Sequence, residues 1–77
     1  MPLDCLLYTR RGCHLCDDAK LILIEHGLSP KEVDIDGDPE FAARYGLCIP
    51  VVVLAGRERF RGRVDSVLLR RILAGKD

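Results

Sequence analysis

The sequence has no surplus charge of either sign: twelve Lys and Arg face twelve Asp and Glu over 77 residues. A neutral chain has no general electrostatic reason to bind nucleic acid or an anionic membrane. It also lacks a long apolar run, and nothing in it approaches the ~20 residues a membrane-spanning helix needs. The opening Met1-Pro2-Leu3-Asp4-Cys5 has no basic segment or small-residue cleavage site of the kind that marks a secretory leader. A cytoplasmic location is therefore expected, where thiols are kept reduced and disulfides are mostly transient and catalytic. There is no glycine-rich dinucleotide loop, so no bound organic cofactor is implied. Without repeats, linkers or low-complexity stretches, residues 1–77 are expected to form a single domain.

What the sequence does have is four cysteines, at positions 5, 13, 16 and 48. A domain this small buries only ~60% of the surface its unfolded chain exposes, and small secreted domains often compensate with disulfides. Pairing Cys13 with Cys16 closes too short a loop to constrain the unfolded chain much. A structural staple is a poor role for that pair. Charge is also unevenly spread. Residues 1–50 hold five Lys/Arg against nine Asp/Glu, a balance of −4, and residues 51–77 hold seven against three, a balance of +4.

The pattern predicts β-α-β-α-β-β-α, an α/β fold with a four-stranded mixed sheet and three helices. Leu3 to Tyr8 is nearly continuous in apolar character, as a central strand should be. A helix follows with Leu15, Ala19, Ile22, Leu23 and His26 on one face, stopping at Gly27 with Leu28 placed to close the cap. Lys31 to Ile35 reads as a second strand, parallel to the first through a helical crossover. Asp38-Pro39 offers an N-cap and an N1 proline to a short helix through Phe41, Ala42 and Tyr45 that ends at Gly46. Val51 to Ala55 and Glu58 to Arg61 form a hairpin with its turn at Gly56-Arg57. Asp65 or Ser66 caps a last helix with Val67, Leu68, Ile72 and Leu73 inward. Arg70, Arg71 and Lys76 near its C-terminal end suit the helix dipole.

The chemistry lies in Tyr8-Thr9-Arg10-Arg11-Gly12-Cys13-His14-Leu15-Cys16. A loop that leaves the C-terminal end of a central strand and opens a helix is where open α/β sheets place ligands. Cys13 falls at the helix start, facing unpaired N–H groups and the positive end of the dipole, which favour thiolate over thiol. Arg10 and Arg11 add positive charge, while Asp17 and Asp18 oppose it. Cys13 is the expected nucleophile, and Cys16, three residues on, the thiol that resolves the mixed disulfide. A Cys-x-x-Cys is also half a zinc site. No second one and no His-x-x-x-His completes it, but Cys48 and His14 could contribute. A metal or iron–sulfur carrier using Cys13, Cys16 and Cys48 is the alternative reading.

These residues resemble the glutaredoxin-like branch of the thioredoxin superfamily, in particular short bacterial members with a Cys-His-Leu-Cys motif. The resemblance covers nearly the whole chain and includes Glu32-Val33-Asp34-Ile35-Asp36, Tyr45-Gly46-Leu47-Cys48-Ile49-Pro50-Val51 and Gly62 to Asp65. It implies a thioredoxin-like fold and a thiol–disulfide oxidoreductase acting on protein or glutathione mixed disulfides. Electrons would come from glutathione or a reductase, and the chain would act as a monomer. It also implies a cis peptide before Pro50 and a strand-like backbone at Ile49 for a bound peptide or glutathione. Arg10 or Arg11, Ile49 and Asp65 match positions that hold glutathione in glutaredoxins. Two positions differ: Arg61 stands where those proteins have the first glycine of a Gly-Gly-x-x-Asp segment, and His14-Leu15 replaces a Pro-aromatic pair.

Other residues have two readings each. Cys5, on a central strand, reads as a small buried hydrophobe. Cys48, two residues before Pro50, is either a third redox thiol or a bystander. His14 either stabilises the Cys13 thiolate or simply begins the helix. Asp65 either binds an α-amino group or caps. Arg57, Arg59, Arg61 and Arg63 alternate, so a regular strand would turn them all to one side with Phe60 on the other. They would then guard an edge strand or form a rim for glutathione or an acidic partner. Tyr8 lines the core beside the active-site loop.

Overall fold

A computed structural model describes residues 3–75. Lys76, one of the cations expected at the last helix end, lies outside them. Strand β1 (Cys5–Thr9) pairs in parallel with β2 (Lys31–Asp34) and antiparallel with β3 (Val51–Leu54), which pairs antiparallel with β4 (Arg57–Arg61). The order β2-β1-β3-β4 makes β1 and β3 the inner strands, which accounts for their high apolar content.

One sheet face carries Cys5, Leu7, Val52, Leu54 and Phe60 and packs with residues of helices α1 (His14–Glu25) and α3 (Ser66–Leu73). Helix α1 turns Ala19, Ile22 and Leu23 inward as expected, with Leu15 the exception, whereas α3 is rotated from the face expected of it. In α1 the buried residues are Cys16, Ala19 and Leu23, while Leu15 is 51% exposed. In α3 Leu69 is fully buried, and Val67, Leu68 and Leu73 are exposed, with Ile72 packed against the core. Caps fix where α3 begins and where α1 ends. Asp65 accepts hydrogen bonds from the Val67 and Leu68 N–H groups at 2.9 and 3.1 Å, fixing where α3 begins. Helix α1 ends in a Schellman motif, Leu28 N–H to the Leu23 carbonyl and Gly27 N–H to the Ile24 carbonyl, which seats Leu28 in the core.

The second face carries Tyr8 and Val51 in register, covered by helix α2 (Pro39–Tyr45). Tyr8 stacks on Tyr45 with ring centroids 4.7 Å apart and meets Phe41 edge-on at 5.4 Å. Asp38 caps α2 through the Glu40 N–H, with Pro39 at its first position, as expected. Ile35 is the buried start of a 3₁₀ turn (Ile35–Gly37), not the end of β2.

The hairpin differs from expectation twice. Its turn residues are Ala55 and Gly56, both at positive φ (51° and 81°), because Leu54 pairs with Arg57. A two-residue loop with both φ values positive is the primed turn that matches the twist of the strands. In β4, Val52 pairs with Phe60 but Val53 with Glu58, leaving Arg59 as the extra residue of a β-bulge. The bulge breaks the arginine alternation: Arg61 shares a face with Glu58, and Arg57 falls on the face of Phe60 and Leu54.

Candidate active site

Three chain segments leave the same end of the sheet. Residues 10–13 follow β1, residues 46–50 precede β3, and residues 62–65 follow β4, with Tyr8, Val51 and Arg61 in register where they depart. Cys13 is the N-cap of α1. Its Sγ accepts the Cys16 N–H at 3.1 Å, its carbonyl accepts the Asp17 N–H, and its own N–H donates to the Arg10 carbonyl. Cys13 and Cys16 are joined by a disulfide with Cα atoms 5.2 Å apart. The two sulfur-bearing residues are unequal: Cys16 is 2% exposed and Cys13 is half-buried. Only Cys13 presents itself to a partner, and it does so at the positive end of a helix dipole. His14 is exposed at the first helical position.

In the second segment the Ile49–Pro50 peptide is cis and Pro50 is buried. The Ile49 N–H and carbonyl have no intramolecular hydrogen-bond partner among the described residues. The Pro50 carbonyl accepts the Gly62 N–H at 2.8 Å, tying in the third segment. Leu47 is fully exposed.

Arg10 braces the first two segments. Its Nε and Nη2 hold the Asp36 carboxylate at 2.9–3.1 Å, and its Nη1 reaches the Gly46 carbonyl at 3.5 Å. These bonds and the charge of Asp36 raise the guanidinium pKa further. A side chain at Gly46 would put its Cβ 2.5 Å from the Ala42 carbonyl oxygen, so only glycine closes α2 in this manner. Arg61 is likewise engaged. Its Nε donates to Glu58 at 2.8 Å, which raises its pKa, and its Nη1 lies 3.8 Å from the Cys48 sulfur.

Of the expected site residues, Cys13, Cys16, His14, Ile49, Pro50 and Asp65 therefore lie on segments at one end of the sheet. Arg11 is exposed there, whereas Arg10 is held by an internal carboxylate. Asp65 uses its carboxylate on the two N–H groups of α3. Cys48 faces Arg61, and among the described residues no three His, Cys, Asp or Glu side chains are placed to hold a metal ion. Cys5 is buried, which pushes its thiol pKa up. Sequence reasoning missed Asp36 and Glu58. The parallel register Thr9 to Asp34 is the signal that would have brought residue 36 beside residue 10.

The model of the glutaredoxin-like domain (DUF836) matches residues 4–74. The chain belongs to this glutaredoxin-like family. Uncharacterized protein Rv0508 of Mycobacterium tuberculosis is 34% identical, over 88% of this chain and 79% of its own. Among solved structures, the target protein XcR50 from X. campestris superposes with a TM-score of 0.79 at 36% identity, over 92% of this chain and 96% of that one. The buckwheat glutaredoxin–glutathione complex shares the fold with a TM-score of 0.65 at 17% identity, over 96% of this chain and 72% of that one. No helix among the described residues is long and apolar enough to cross a membrane.

Proposed function

We propose that this protein is a thiol–disulfide oxidoreductase that reduces polypeptide or glutathione mixed disulfides through Cys13 and Cys16. The observation that carries the reading is the Cys13–Cys16 disulfide at the start of α1, with Cys13 half-buried and Cys16 buried.

In the reduced protein the Cys13 thiolate attacks one sulfur of the target disulfide. A Cys13–target bond forms, the target S–S bond breaks, and the departing thiolate takes a proton from water. Cys16, deprotonated, then attacks the Cys13 sulfur and expels the second target thiolate. Two electrons have moved from the pair to the target, and a Cys13–Cys16 disulfide remains. Glutathione, or a reductase presenting a dithiol, returns the two electrons. The Cys16 N–H and the helix dipole stabilise the Cys13 thiolate that makes the first attack. The unpaired backbone of Ile49 offers a strand-like donor and acceptor to the target chain. The family membership and the glutathione complex of a protein of the same fold support this reading.

The test is the redox equilibrium of the pair in graded glutathione buffers, followed by thiol labelling and mass spectrometry. An intramolecular Cys13–Cys16 bond with a potential between roughly −270 and −180 mV is expected. In Cys16→Ser a mixed disulfide on Cys13 should accumulate. A pair that never oxidises, or that only takes up metal, would overturn the reading.

A further inference from the structure

Glutathione is a small anion with two carboxylates and one ammonium, and a site that prefers it must offer free cations beside the reactive sulfur. At this end of the molecule two of the arginines are already matched. Arg10 is chelated by Asp36, and Arg61 is held by Glu58. Arg11 shares its recess with Asp17, Glu32 and Asp34, and Arg63 shares one with Asp18 and Glu25. The carboxylate of Asp65, a candidate partner for the ammonium, already accepts two helix N–H groups. A net negative ligand gains little from such surroundings.

The apolar groups here are, by contrast, unusually available. Leu15, between the two cysteines, is 51% exposed, and Leu47, three residues before Pro50, has no cover at all. From Leu15 a groove of about 360 Å³ runs along α1, with Ala19, Ile22 and Val64 adding to its apolar lining. Leu15, which lines this groove, stands between the two cysteines in the chain, so the groove starts one residue from Cys16 on α1. Two exposed leucines on the segments that carry the cysteines and Pro50, with Ile49 offering backbone pairing, suit a polypeptide better than a charged tripeptide.

We infer that the physiological substrate is a disulfide within a polypeptide, flanked by an apolar side chain that lodges against Leu15 in the α1 groove, and that glutathione mixed disulfides are poor substrates. The inference rests on the exchange chemistry proposed above and narrows its substrate class. The bond changes are those already given, with a dithiol as reductant.

The test compares kcat/KM for three synthetic substrates under a fixed dithiothreitol supply. One is a peptide–peptide disulfide flanked by leucine, the second is the same with serine flanks, and the third is the leucine peptide carrying glutathione on its cysteine. The leucine-flanked disulfide should exceed each of the others by about tenfold or more, the scale on which an apolar pocket discriminates. In Leu15→Ser the leucine-to-serine ratio should fall towards one. In Asp36→Ala, which releases the Arg10 guanidinium, the ratio of glutathionylated to peptide substrate should rise. Ratios within one variant are insensitive to partial unfolding. Equal or faster turnover of the glutathionylated peptide by the unmodified protein, or a leucine-to-serine ratio that Leu15→Ser does not move, overturns the inference while leaving the exchange chemistry standing. Failure on all three substrates removes that chemistry, and this inference with it.

Discussion

The two faces of the sheet are built from different materials. The face packed by α1 and α3 is aliphatic, with Leu7, Leu23, Val52, Leu54 and Leu69 almost fully removed from water. The face under α2 is aromatic and polar at its site end, where Tyr8, Phe41 and Tyr45 cluster and Arg10 reaches Asp36 and Gly46. Removing aliphatic area from water stabilises in proportion to area and is indifferent to direction. Ring contacts and charge-assisted hydrogen bonds are directional, so they fix positions while contributing less stability. The first face thus supplies most of the folding free energy, and the second positions the loops around the dithiol.

That division can be broken from the aliphatic side first. Leu69→Ala removes a fully buried side chain and should cost about 2–5 kcal/mol in denaturant unfolding, much of the margin of so small a domain. The exchange rate per folded molecule should stay the same; a loss of rate out of proportion to the folded fraction would mean the faces are not separable. Tyr8→Leu keeps an apolar group on β1 but abolishes the contacts to Tyr45 and Phe41. It should cost less, about 1–2 kcal/mol, and lower the exchange rate per folded molecule, because the loops lose their support. A rate equal to the unmodified protein's would deny that face its positioning role.

The smallest effect expected is the pH response of Cys5 on the aliphatic face. Burial raises its pKa, so the folded chain keeps a neutral thiol at a pH where the unfolded chain, titrating near ~8.5, has lost its proton. The stability from this group is complete below that pH and declines as pH rises through it towards the folded pKa. Comparing thermal midpoints of the protein and Cys5→Ala between pH 7.5 and 10 should show the steeper decline in the protein that retains Cys5. Parallel slopes would show that the thiol is not protected.

Much of this was legible in the sequence. The strand and helix order, the Asp38-Pro39 and Asp65 caps, the Gly27 stop and the position of Cys13 at a helix start follow from local chemistry that acts over a few residues. The inward face of α3 did not follow. Val67, Leu68, Leu69, Ile72 and Leu73 are all apolar, and a 3.6-residue period alone cannot decide which of them turns in. That choice falls to Asp65, which sets the first turn, and to the core space open to Leu69. The arginine alternation in β4 failed for a related reason, since a bulge at Arg59 leaves no mark in a strand's side-chain chemistry. Arg10 read naturally as a ligand-binding cation because its true partner, Asp36, lies 26 residues away and meets it only through sheet register.

The hydrogen bond from the Cys16 amide to the Cys13 sulfur has one more consequence. The same atom is the helix cap and the reacting group, and a thiolate accepts such a bond about twice as strongly as a neutral sulfur. In the proposed exchange cycle each turn would tighten and slacken the first turn of α1, so the Cys16 amide proton, followed by NMR or by its rate of exchange with heavy water, would be a built-in gauge of whether the pair is reduced or oxidised.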